Sequence, residues 1–147
     1  MDLLVDTNVL LRAFQLQHPQ NAVALTALDR LKGRGDRLYV VPQVLYEFWV
    51  VCTRPEGENG LGLTAPLAFR QLERVKRLFV VLPDTPEVYP QWERIVAAHE
   101  VLGKQAHDAR LVAAMNVYRL THVLTFNGDH FTRYAEISWI HPQEVAV

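Results

Sequence analysis

Short apolar runs alternate with helix-length segments along the whole chain, and this pattern most constrains the fold. Leu3-Leu4-Val5 reads as a buried strand that stops at the polar turn Asp6-Thr7-Asn8. Helices are expected from Val9 to about Leu16 and from about Gln20 to Lys32. The second carries Ala24, Leu25, Leu28 and Leu31 at the helical period and ends at Gly33-Arg34-Gly35. Leu38 to Val41 reads as a second strand, and Pro42 is placed to open a helix running to about Thr53. Arg54 to Gly62, with Pro55, Gly57, Gly60 and Gly62, reads as a loop. Thr64-Ala65-Pro66 starts a helix to about Leu78, Phe79 to Leu82 is a third strand, and Thr85-Pro86-Glu87 starts a helix to about Val101. Pro90 leaves open whether the regular part begins only there. A helix from about Ala106 to Leu120, a strand from His122 to Phe126 and a short strand from Ile137 to Ile140 complete the series.

Such alternation predicts one α/β domain over residues 1–147, with a mostly parallel sheet of four to five strands covered on both faces. In sheets of this kind ligands sit outside the carboxyl ends of the strands. Asp6 falls at one such end; Thr125, Asn127 and Asp129 fall at another.

Three acids stand out against their surroundings. Asp6 is the first polar side chain after its strand, although a helix N-cap is an equally good account of it alone. Glu47 is the only formally charged residue from Gln43 to Thr53, among Val44, Leu45, Phe48, Val50 and Cys52. A helix apolar on nearly all sides is expected to be buried, and a buried carboxylate needs a cation, strong donors or an arginine partner. Asp108 occupies the first turn of its helix on the stripe formed by Leu111, Val112, Met115 and Tyr118. Favourable placement at a helix N-terminus explains an acid there, but not one facing the core. His107 beside it is expected to be exposed. The segment Thr125-Phe126-Asn127-Gly128-Asp129 is explained by turn chemistry on its own, and gains weight from its place beside a second strand end.

The ordered set resembles the PIN domain: Val5-Asp6-Thr7-Asn8, Glu47 after the second strand, His107-Asp108-Ala109-Arg110-Leu111, and Thr125-Phe126-Asn127-Gly128-Asp129-His130-Phe131. The likeness spans essentially the whole chain and is closest in style to VapC-type toxins of toxin–antitoxin pairs. It implies a PIN-like three-layer α/β/α fold and a Mg²⁺- or Mn²⁺-dependent endoribonuclease, often a homodimer, restrained by a cognate antitoxin. Asp6, Glu47 and Asp108 match the three main acids of the family. The fourth position falls on Asn127, with Asp129 two residues later expected to supply the charge. Thr7, Asn8, Thr125 and Asn127 are then expected to orient the ligands.

Crowded carboxylates repel by about 4 kcal/mol per pair at 4 Å and an effective dielectric of 20. Oxygen-only ligands select hard cations such as Mg²⁺ or Mn²⁺ over zinc. Net charge is −1, but setting the four acids aside leaves 12 of the 16 against 15 Lys plus Arg. The remaining surface is then about +3, compatible with a polyanion. Arg12, Lys104, Arg110 and Arg133 are candidates to hold an RNA backbone, with a solvated surface role as the plainer alternative for each. An aspartate-dependent phosphatase of the haloacid-dehalogenase type would want an acid where Asn8 stands, and a receiver module would want a paired acid and a lysine. A degenerate scaffold that binds RNA or protein without catalysis is the non-enzymatic alternative. Cys52 is the single cysteine, no apolar run approaches a membrane span, and Asp2 and Asp6 flank too short a run for a signal peptide. A cytoplasmic protein is expected.

Overall fold

A computed structural model describes all 147 residues. Five strands, β1 (Asp2–Val5), β2 (Arg37–Val40), β3 (Val80–Val81), β4 (His122–Leu124) and β5 (Ser138–Ile140), form one sheet in the order β3-β2-β1-β4-β5. Every pairing is parallel, so the expected mostly parallel sheet is wholly so. β1 lies at the centre, with Leu3, Leu4 and Val5 fully buried. A continuous apolar run is what a strand covered on both faces requires.

Seven helices cover the sheet: α1 (Thr7–Phe14), α2 (Asn21–Gly33), α3 (Pro42–Thr53), α4 (Ala65–Leu78), α5 (Val88–Ala98), α6 (Gln105–Val117) and α7 (Pro142–Ala146). α2 packs on α1 and α7, α3 on α1 and α4, and α5 on α6. The architecture is the three-layer α/β arrangement expected from the alternation of strands and helices. Thr64 caps α4 through its hydroxyl, which accepts from Leu67 N–H at 3.4 Å. α5 begins at Val88, ahead of Pro90, because a proline in the first turn removes only an N–H that has no helical partner.

Several boundaries differ from the sequence reading. α1 begins at Thr7 rather than Val9, directly behind its cap Asp6. The third and fourth strands shorten to Val80–Val81 and His122–Leu124. α7 was not anticipated; five residues are too few to show a period, and its mark is a capping box between His141 and Glu144. The expectation that α3 is mostly buried is corrected: Tyr46 and Val50 are 63% and 53% exposed, and Glu47 is half-buried. No helix is long and apolar enough to cross a membrane.

Candidate active site

The strand order reverses direction at β1, with β2 on one side and β4 on the other. The carboxyl ends of β1 and β4 therefore flank a crevice at a topological switch point. Asp6 leaves β1 there, and Thr125 leaves β4 beside it. The two backbones stay joined, Asp6 N–H donating to Leu124 C=O at 3.0 Å.

Asp6 is 8% exposed and its two oxygens have different tasks. Oδ1 accepts from Thr7 N–H at 2.7 Å and caps α1. Oδ2 accepts from the Thr125 hydroxyl at 2.8 Å and from Asn8 Nδ2 at 3.3 Å. The capping and site readings of Asp6 are thus compatible, one oxygen serving each. Asn8 also donates to Thr125 Oγ1 at 3.1 Å and accepts from Phe126 N–H at 3.0 Å. Thr125, fully buried, in turn accepts from Asn127 N–H at 3.0 Å. Thr125 and Asn8 therefore aim the Asp6 carboxylate and tie the two strand ends together. Asn127 enters this network by its backbone, while its side chain is exposed.

Glu47 projects from α3. Its Oε2 accepts weakly from the Thr7 hydroxyl at 3.4 Å, and its Oε1 accepts from Gln43 Nε2 at 2.9 Å. Asp108 stands in the first turn of α6, partly buried, with His130 Nδ1 3.4 Å from its Oδ2. His107 beside it is exposed as expected.

The acids sense one another. Burial pushes the Asp6 carboxyl up to about 6; hydrogen bonds from Thr125 and Thr7 oppose that rise, and Glu47 and Asp108 add to it. Burial also raises Asp108, against the pull of His130, with Glu47 raising it further. Asp6, Glu47 and Asp108 thus form one electrostatic unit. Asp129 stands apart, exposed on a 3₁₀ turn (Gly128–Phe131) that follows β4. That turn is seated by a close approach: a Cβ on Gly128 would lie 2.3 Å from the Trp139 ring.

No three His, Cys, Asp or Glu side chains close into a ready-made metal cage. The oxygen-only donors and the open spacing suit a hard cation that keeps water in its coordination shell, as Mg²⁺ does. The mutual repulsion of the three acids is the kind of charge such an ion offsets.

The four basic candidates separate. Arg110 is committed, donating to Gln43 Oε1 at 3.1 Å and pairing with Asp84 at 3.1 Å. Arg12 is held by Gln15 and Gln20. Lys104, exposed at the N-cap of α6, and exposed Arg133, bonded to Gln105 at 2.6 Å, border the Asp108 side. The sequence reading passed over His130 and Gln43. His130 had a signal, lying next to Asp129 in the same turn; Gln43 had only its place one helical turn before Glu47.

A wholly parallel α/β sheet with carboxylates gathered at its switch point defines a class of acid-lined α/β proteins. The PIN domain family model matches residues 3–137, and the chain belongs to that family. No curated protein sequence matches it. Among solved structures it is similar to a chain of VapBC2 from Rickettsia felis bound to a DNA fragment from its promoter. There the TM-score is 0.73 at 12% identity, covering 96% of this chain and 98% of that one. FitAcB from Neisseria gonorrhoeae gives a TM-score of 0.65 at 22% identity over 97% and 98% of the two chains. VapC20 from Mycobacterium tuberculosis, a Sarcin–Ricin loop cleaving toxin, gives 0.64 at 18% over 90% and 95%.

Proposed function

We propose that the protein is a Mg²⁺- or Mn²⁺-dependent endoribonuclease, the toxin of a VapC-type toxin–antitoxin pair. The observation that carries this reading is the convergence of Asp6, Glu47 and Asp108 from three separate elements on one crevice, close enough that Glu47 and Asp108 raise the proton affinity of Asp6 and Glu47 raises that of Asp108. Asp6 Oδ2, Glu47 Oε2 and the Asp108 carboxylate would hold the ion. Bound there, a divalent cation supplies a Lewis acid for the scissile phosphate and an acidified water. Thr125 and Asn8 keep Asp6 aimed, while Lys104 and Arg133, both exposed, would attract the RNA backbone. The test is cleavage of total RNA with Mg²⁺, with Mn²⁺ and with EDTA. Activity in Mg²⁺ or Mn²⁺ and none in EDTA is expected; full activity in EDTA, or RNA binding without cutting, defeats the reading.

Asp129 is proposed as a charge that joins through water, with Asn127 contributing orientation. Asp129→Asn is then expected to weaken Mn²⁺ affinity more than Asn127→Ala does. Metal titrations giving the opposite order would assign the fourth position to Asn127.

The partners proposed are a cognate antitoxin and a second copy of the chain. The VapBC and FitAB assemblies that share the fold support the first. So does an uncovered apolar cavity of about 410 Å³ formed by Leu45, Tyr46, Trp49, Val50 and Leu72 beside the helix that carries Glu47. Expression alone is expected to stop growth, and co-expression of a neighbouring small antitoxin gene to restore it. Harmless overexpression of active enzyme would indicate a housekeeping nuclease instead.

A further inference from the structure

Gln43 is the second residue of α3 and only 7% exposed. It lies one turn before Glu47, on the same helix face. Its amide makes three bonds. Nε2 donates to Glu47 Oε1 at 2.9 Å and to the His107 carbonyl at 2.8 Å. Oε1 accepts from Arg110 Nη1 at 3.1 Å, and the other end of that guanidinium is paired with Asp84. A carboxylate and a backbone carbonyl can only accept, and a guanidinium can only donate. The three partners therefore fix which end of the amide faces which way.

The bridge has two consequences. The His107 carbonyl belongs to the residue before Asp108, so one side chain ties the Glu47 carboxylate to the backbone that carries the next acid. Oε1 of Glu47 is also held by the amide, which leaves Oε2, on the Thr7 side and with only the long 3.4 Å bond from that hydroxyl, as the less committed oxygen. Neither consequence follows from a contact with substrate, so Gln43 acts through Glu47.

We propose that Gln43, locked by Arg110, is a positioning residue that sets the metal affinity of the acidic crevice by fixing Glu47 relative to Asp108. The inference rests on the metal-dependent reading above. Groups that orient metal-binding carboxylates commonly contribute about 10- to 100-fold in affinity.

The experiment is calorimetric titration of Mn²⁺ into wild type, Gln43→Met, Arg110→Met and the double variant, with thermal melts of each. Gln43→Met is expected to bind Mn²⁺ about 10-fold or more weakly, and Arg110→Met to bind less tightly than wild type by a smaller factor. The double variant should be no weaker than Gln43→Met alone, because Arg110 acts only through the amide. A bridge that merely joins α3 to α6 would lower the melting temperature and leave Mn²⁺ affinity unchanged, and that result overturns the proposal. If Gln43→Met does not fold, undiminished affinity in folded Arg110→Met overturns it equally. Wild type that takes up no Mn²⁺ overturns the metal reading and this inference with it, whereas uptake undisturbed by either substitution overturns only the role of Gln43.

Discussion

Asp108→Asn is expected to lose RNA cleavage by about 100-fold or more while its metal-free form stays as stable as wild type or becomes more stable. Asp108 accepts no hydrogen bond, and its one ion-pair partner is the His130 ring at 3.4 Å, which carries charge only when protonated. Burial and Glu47 both disfavour its charge. Asparagine keeps the shape and removes the repulsion. Added Mg²⁺ should then stabilise the variant less than wild type, since stabilisation by a ligand follows its affinity for the folded state. Denaturant melts of both proteins with EDTA and with Mg²⁺, alongside a cleavage assay, give the answer. A variant that loses metal-free stability, keeps its Mg²⁺ response and still cuts RNA would remove Asp108 from the site. Asp6 is a less clean target: its oxygens accept three bonds, and an asparagine there would turn an NH₂ toward the Asn8 amide and the Thr125 hydroxyl.

Metal-free protein is expected to lose stability as pH rises from about 4 to about 6. The folded Asp6 carboxyl titrates near 6, against an ordinary value of 3.8. Between those values the native state holds a proton that the unfolded state has released. Proton binding then favours the native state at the acid end, and that advantage disappears as pH passes through the folded value. The expected loss is on the order of 3 kcal/mol, level above pH 7. Asp108, also raised, adds in the same direction. Asp36, lowered by its bonds to the N-terminal amine and Arg34, acts in the opposite sense at lower pH. Urea melts in EDTA across pH 4 to 7 measure the slope. Saturating Mg²⁺ should flatten or reverse it, because the ion competes with the proton for the same oxygens. A rising slope in EDTA would show that Asp6 is ionised without penalty.

Much of the fold and the placement of the main candidate acids were legible in the sequence because they depend on local chemistry. An apolar run that ends in Asp6, or a helix stripe that begins at Asp108, carries its own position. What escaped depends on contacts between distant segments. Arg110 beside Asp108 reads as a group facing substrate, yet Gln43 and Asp84, 67 and 26 residues away, claim its guanidinium. Gln43 and His130 gain their meaning only when α3, α6 and the turn after β4 meet. The apolarity of α3 was misread for a different reason: hydrophobic residues on all sides can mark a surface left open as well as a helix enclosed, and Tyr46 and Val50 are on such a surface. The capping role of Asp6 shows a further limit, since two accounts that compete along the chain divide between its two oxygens in space.

The central strand has its neighbours from opposite ends of the chain, β2 following soon after it and β4 arriving more than a hundred residues later. Asp6 meets Thr125 across 119 positions. Contacts of that separation form late, because the intervening chain must first be ordered. During synthesis from the N-terminus, the early strands and helices can assemble while the crevice still lacks its β4 wall. Asp6 then has neither the hydroxyl that aims it nor Asp108 nearby. The topology therefore finishes the crevice last: Asp6 gains the Thr125 hydroxyl only once the chain as far as β4 is in place.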